Sequence, residues 1–385
     1  PGRLSGGVVL DAGCRDFTFA RGMVARGCRV IALDADPTVV DPKILFGEYY
    51  YTPDQSATSR KHFEDLADGL HKRFDAPGLA VDVGSNSGLF LSYLATRGWC
   101  VRGVDPAANL AATATERGVE TIIDYWSETL AKRIERAYGR ARIITGSNVF
   151  AHCDDWRGFL AGVYALLDPV DGIFIVEFPY LPTMLRDSTF DLCYSEHQSF
   201  PSITPLWRLF RDAGLEIFVV EDIPIHGGSV RVFARRAVGE ADFIESDVAR
   251  RLEWEKSIEI TTDAPYEEFA RSANRAIVEF GDCIRSMFHD GLRVAGCTAP
   301  AKATVLIHAA DLTHGEIEYI VDDNLNKVSR YIPNTGIRIE ARLRSPPPDA
   351  VIIFAWNIAD EILKKLPRGT KAIVPLPRLR VLTAS

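Results

Sequence analysis

A chain of 385 residues, 47% of them apolar, is long enough for two or three domains with sizeable cores. Its formal net charge of −8, with no basic block beyond Arg250-Arg251 and Lys364-Lys365, excludes a nucleic-acid partner, so any anionic ligand has to be held locally. No apolar run reaches membrane-spanning length and no basic head precedes an apolar segment at the start, which predicts a soluble, cytoplasmic protein with no membrane partner. The seven cysteines (14, 28, 100, 153, 193, 283 and 297) form no C-x-x-C pair and are read as buried or free thiols, with no metal site.

The first element is a repeat. Val8 to Gly13, a helix-like stretch to Arg26-Gly27, and Cys28 to Asp34 match residues 79–105 without a gap, pairing Asp11 with Asp82, Gly13 with Gly84, Phe19 with Phe90 and Asp34 with Asp105. This copy carries Arg15 and Phe17 where the other has Asn86 and Gly88, so a bulky ring stands where close backbone approach is needed. It is expected to be a structural cover or a dimer-forming element; a second nucleotide site is the alternative.

A linker around Asp41-Pro42 leads through Tyr49-Tyr50-Tyr51 to a helix from about Ser56 to Phe74. The apolar strand 79–83 then enters Asp82-Val83-Gly84-Ser85-Asn86-Ser87-Gly88, a D-x-G-x-N-x-G turn. Small residues at 84 and 88 let the backbone pass close to a bound nucleoside, and the next helix favours negative charge at its N-terminus. Asp105, at the tip of the following strand, is placed to accept both hydroxyls of a ribose. Dinucleotide folds add a third glycine on the helix; the acid two residues ahead and the G-x-N-x-G spacing here resemble the turn of S-adenosylmethionine methyltransferases, and that resemblance favours S-adenosylmethionine over NAD or a bare structural turn.

Strands at 101–104, 119–123, 141–146 and 172–177 alternate with helices, which predicts a doubly wound parallel sheet with ligands at the carboxyl ends of its strands. Those ends carry Gly84, Asp105, Asp124, Asn148 and Glu177. A helix at 202–213 and strands at 215–221 and 229–235 follow, the strands pairing antiparallel through Ile225-His226-Gly227-Gly228. Residues 240–290 read as a pair of helices broken at Thr261 to Pro265. A second α/β unit has strands at 292–296, 317–322, 350–355 and 371–374, a helix at 358–366, and a stiff loop at Pro346-Pro347-Pro348. Its turn from Gly296 to Lys302 suits a phosphate, unless the lysine only caps a solvated helix.

Asp191-Leu192-Cys193-Tyr194-Ser195-Glu196-His197 puts a phenol, a carboxylate and an imidazole within four residues. Imidazole titrates near neutrality, so His197 suits proton transfer, with Glu196 or Tyr194 orienting it or stabilising charge. His152 follows the fourth strand and His226 lies in the hairpin turn.

The ordered set of D-x-G-x-N-x-G, Ser147 to His152, Glu177-Phe178-Pro179-Tyr180, Tyr194 to His197, His226 to Ser229, Gly296 to Lys302, Val321 to Lys327, Arg330 to Pro333 and Ala355-Trp356-Asn357 resembles the deoxysugar C-methyltransferases. The resemblance runs from about Tyr49 to the last strand. It implies a class I methyltransferase sheet with a closing hairpin, a C-terminal Rossmann-like α/β domain and a degenerate N-terminal βαβ unit. The expected boundaries are 1–47 for the βαβ unit, 48–238 for the S-adenosylmethionine domain, 239–290 for a helical connector and 291–385 for a sugar-nucleotide domain.

The implied reaction methylates a nucleotide-linked 4-keto sugar at a carbon beside the ketone through an enolate. In that reading His197 is the base, Glu196 fixes its tautomer, and Tyr194, His152 or Tyr51 donates to the enolate oxygen. Asp82, Gly84, Asn86, Gly88, Asp105, Asp124 and Asn148 are expected to contact S-adenosylmethionine, and His226, Lys302, Asn357 and Arg330 the substrate. The family's paired-cysteine zinc module is replaced here by the degenerate βαβ copy. An O- or N-methyltransferase on the same scaffold, or a non-catalytic nucleotide-binding scaffold, are the alternatives.

Overall fold

The computed structural model describes residues 8–11, 29–32, 42–153, 155–194, 196–237 and 245–384. They fall into two compact units. One comprises Val40–Thr183 and Gln198–Thr261, and the other gathers the described residues of Pro1–Val39, Met184–His197 and Thr262–Ser385. The N-terminal repeat shows as two short parallel strands, β1 (Val8–Asp11) and β2 (Arg29–Ala32), paired Val8 to Arg29 and Asp11 to Ala32. The rest of that repeat, including Gly13, Arg15, Phe17, Phe19 and Asp34, lies outside the described residues, as does Ser195.

The first unit is built on a seven-stranded sheet. Its strands are β3 (Leu79–Val83), β4 (Cys100–Val104), β5 (Thr121–Ile122), β6 (Ala141–Ser147), β7 (Ile173–Pro179), β8 (Leu215–Ile223) and β9 (Ser229–Arg236), in the order β5-β4-β3-β6-β7-β9-β8. The first five run parallel; β9 pairs antiparallel with β7 and with β8, so the hairpin closes the sheet as the sequence predicted. Both faces are covered, which is why the central strands read as apolar runs rather than as alternations. Leu79, Val81, Ile144, Phe174 and Val176 pack on one side with Leu130, Ile134, Phe159, Leu160 and Phe210, whereas Ala80, Ile143, Ile173 and Ile175 pack on the other with Leu66, Leu70, Phe90 and Leu94.

The second unit repeats the doubly wound scheme with β10 (Val294–Cys297), β11 (Tyr319–Val321), β12 (Arg338–Glu340), β13 (Ala350–Ile353), β14 (Lys371–Val374) and β15 (Arg380–Thr383), ordered β12-β11-β10-β13-β14-β15. Only β15 is antiparallel. Counted from β10 this is a 3-2-1-4-5-6 order, which places its ligand crevice beyond the carboxyl ends of β10 and β13. Strands β12 and β15 are absent from the sequence reading because each is a three- or four-residue edge strand with at most two adjacent apolar residues, without the longer apolar run that marked the others. The helix pair also resolves in detail: Pro265 sits in the first turn of Ala264–His289, where its missing N–H is harmless, so the break before it separates that helix from Ser246–Ser257. Among the described residues no helix is long and apolar enough to cross a membrane.

Candidate active site

The turn after β3 holds three left-handed residues in five: Gly84 (φ 69°), Asn86 (φ 51°) and Gly88 (φ 71°). A Cβ on Gly84 would come within 2.2 Å of Val149 Cγ2, so glycine is required there for both reasons. Asp105 ties the turn to β4: Oδ2 accepts from Asn86 N at 2.7 Å and Oδ1 from Ala107 N at 2.8 Å. Burial raises its carboxyl above the ordinary range, opposed by these two N–H groups. Each oxygen keeps a second lone pair for a diol, and the glycines at 84 and 88 keep the turn open for close backbone approach. These residues fit the adenosyl part of S-adenosylmethionine. Replacing Asp105 by alanine is expected to weaken S-adenosylmethionine binding about twentyfold, the scale of a lost charged hydrogen bond. Calorimetry giving a dissociation constant within threefold of wild type would count against that role.

A strap the sequence reading singled out only at Tyr51 is laced onto this turn. Tyr49 exchanges two hydrogen bonds with the Asn109 side chain, at 3.0 and 2.8 Å, and Asn86 Nδ2 donates to the Tyr51 carbonyl at 3.0 Å. Ser87 Oγ donates to Asp54 Oδ2 at 2.6 Å, and Arg117 pairs with the same carboxylate. The Tyr51 side chain itself is exposed.

Other expected cofactor residues divide. Asp82 is buried and accepts from Thr145 Oγ1 at 2.6 Å; burial, with the negative charges of Asp105 and Glu177, pushes its carboxyl up to about 7. Asn148 also stands in the left-handed region, at φ 58°, its N–H on the Glu177 carbonyl. Asp124 is exposed, and its side chain accepts from the N–H of its neighbour Tyr125. The His152 ring stacks on Phe46, with centroids 5.6 Å apart, and His226 occupies a left-handed position (φ 54°) in the hairpin turn.

Glu177 proves to be the centre of a buried group that sequence reading missed. Its Oε1 accepts from Arg231 Nε at 2.6 Å and its Oε2 lies 2.9 Å from His62 Nε2. Burial disfavours the charge, yet His62 and the Arg231 guanidinium hold the carboxyl below its usual range. His62 was hidden because it lies on a separate helix, 115 residues away in sequence.

The second unit contains the expected proton-transfer group. His197 is buried; its Nδ1 is 2.7 Å from the Leu192 carbonyl and its Nε2 is 3.0 Å from Tyr194 Oη. The carbonyl fixes the Nδ1–H tautomer, the task expected of Glu196, and leaves the Nε2 lone pair facing a phenol. Burial first, and then the positive charge of Lys302, pushes the imidazole down to about 4, against the Leu192 hydrogen bond. Lys302 and Asn357, expected on a diphosphate, are hydrogen-bonded to each other at 2.6 Å, with Lys302 buried. Arg330 is exposed.

This unit also reproduces the Asp105 geometry, which the sequence reading missed because the turn lacks the glycine spacing. Asp322, just past β11, accepts from Ala299 N at 2.7 Å and from Asn324 N at 2.8 Å. Thr298 N donates to the Val321 carbonyl at 2.7 Å, as Gly84 N donates to that of Val104 at 2.7 Å. Lys327 Nζ lies 3.5 Å from Asp322 Oδ2.

Residues 58–220 match the family model described as a methyltransferase domain, and residues 224–377 match the model of a C-methyltransferase C-terminal domain. Among curated proteins, the chain is 36% identical over 382 residues to the C-methyltransferase NovU of Streptomyces niveus, covering 97% of this chain and 90% of that one. Among solved structures it is similar to the PH0226 protein of Pyrococcus horikoshii OT3 (18% identity, 51% of this chain and 97% of that one, TM-score 0.39). It is also similar to magnesium protoporphyrin IX methyltransferase of Synechocystis PCC 6803 (15% identity, 51% and 92%, TM-score 0.37). With both family models matched in order and this identity sustained over nearly its whole length, the chain belongs to the S-adenosylmethionine-dependent C-methyltransferases.

Proposed function

We propose that the enzyme methylates a nucleotide-linked 4-keto deoxysugar at a carbon beside its ketone, with His197 as the base. The observation that carries this reading is the His197–Tyr194 pair: a buried imidazole with Nδ1 held by a carbonyl and Nε2 3.0 Å from a phenol. Bound S-adenosylmethionine supplies an electrophilic methyl group, so the remaining task is to make a carbon nucleophilic. His197 removes the proton at Nε2, and the ketone spreads the resulting charge as an enolate. Tyr194 is the donor for the enolate oxygen that this pair favours, with His152 and Tyr51 as the others. The Asp322 turn supports a nucleoside on the C-terminal unit, with His226 and the exposed Arg330 as further substrate contacts. An O- or N-methyltransferase or an inert scaffold accords less well with a C-methyltransferase relative at 36% identity.

Mass spectrometry of reactions with nucleotide-linked keto and non-keto sugars in heavy water tests this. Methyl transfer confined to the keto sugars, with deuterium entering the adjacent carbon when the methyl donor is omitted, is expected. Methylation of a sugar without a ketone, or of none in the panel, would discard the enolate reading.

A further inference from the structure

Lys302 opens the helix Ala301–Ala309 with only 8% of its surface exposed. A buried ammonium normally takes a carboxylate partner. Lys302 forms no ion pair among the described residues; Nζ donates to Asn357 Oδ1 at 2.6 Å and lies 4.7 Å from the centre of the Trp356 ring. The same indole directs its Nε1–H to Asp191 Oδ2 at 2.6 Å. Trp356 therefore shows its face to the cation and its edge to the anion.

Asp191 is fully buried, and its Oδ1 has no hydrogen-bond partner. Burial pushes its carboxyl up to about 6, against the pull of Lys302 and of the indole N–H. The next residue along supplies the carbonyl that accepts from His197 Nδ1. Displacing Asp191 thus displaces the group that orients the imidazole. Buried polar chains of this kind add little stability over apolar packing but hold their members in one geometry.

We propose that Lys302, Trp356 and Asp191 are positioning residues for the His197 base: they pin the Phe190–Leu192 turn so that the Leu192 carbonyl stays on Nδ1. This rests on the reading of His197 as the base. Tyr194, whose hydroxyl meets Nε2, and the titratable Asp191 and Glu196 belong to the same segment as His197. Lys302 comes from the helix packed on the turn, and Trp356 and Asn357 bring no charge. The assignment also takes Lys302 and Asn357 away from the diphosphate.

The test is a kcat and kcat/KM series against pH for Lys302→Met, Trp356→Phe and His197→Ala, using the keto sugar turned over fastest in the panel above and with S-adenosylmethionine binding measured on each variant. Trp356→Phe keeps the ring face but removes the N–H, and is expected to lower kcat about tenfold with KM and cofactor affinity unchanged. Lys302→Met should move the acid limb of kcat/KM upward by about half a unit or more, since a positive neighbour is lost. If Lys302→Met does not fold, Trp356→Phe decides. Variants that bind the cofactor normally and keep the wild-type kcat and limb overturn the positioning role alone. Full turnover by His197→Ala overturns the base reading and this proposal with it.

Discussion

His197→Ala is expected to lose at least about a hundredfold in kcat while binding S-adenosylmethionine as tightly as the wild type, because a positioned general base contributes roughly that much and the cofactor turn belongs to the other unit. The direction of the imidazole shift adds a second readout. A pKa pushed down to about 4 leaves the ring neutral, and competent as a base, over the whole neutral range. The acid limb of kcat/KM should therefore fall near pH 4 rather than near the ordinary histidine value, as protons bind the ring. Steady-state kinetics with calorimetry on the same variant decide the matter. A loss below about tenfold would remove His197 from the role.

What the sequence disclosed and what it hid differ by the range of the interaction. The D-x-G-x-N-x-G turn was legible because left-handed positions and close approach demand particular residues at fixed spacing, and three left-handed residues stand there. Parallel strands were legible because burial on both faces leaves long apolar runs, whereas β12 and β15, short and at the two sheet edges, carried no such mark. Tyr194 and His197 could be paired from sequence because they are three residues apart. The Leu192 carbonyl was not legible as the tautomer-fixing group, since any residue can offer one. Lys302 was noticed as a lysine at a helix start, but its burial and its relay through Trp356 to Asp191, 165 residues from that tryptophan, are products of the folded chain. His62 and Arg231 reach Glu177 across 115 and 54 residues and left no local pattern.

The same distance effect conceals a residue with a large expected contribution to stability, Glu255. The helix Ile203–Asp212 begins after Ser202, whose side chain makes no capping bond, so its first N–H groups need an acceptor from elsewhere. Glu255, on the helix Ser246–Ser257 and fully buried, provides it: Oε1 accepts from Ile203 N at 2.6 Å, and Oε2 from Thr204 N at 2.8 Å and Thr204 Oγ1 at 2.6 Å. The Tyr180 hydroxyl donates to Oε1 as well, its own pKa driven far up by burial and by that carboxylate. A carboxylate at a helix N-terminus is favoured by the dipole, and four donors satisfy most of its lone pairs. Glu255→Ala leaves these donors buried without an acceptor and opens a cavity, so the methyltransferase unit should lose about 4 kcal/mol and melt about 10 °C lower. Tyr180→Phe, which removes one donor and keeps the cap, should cost only about 1 kcal/mol. Chemical and thermal denaturation followed by circular dichroism compare the two. A Glu255→Ala protein within about 1 kcal/mol of wild type would mean that water replaces the carboxylate at the helix start, and the cap would then be a consequence of packing rather than a cause of it.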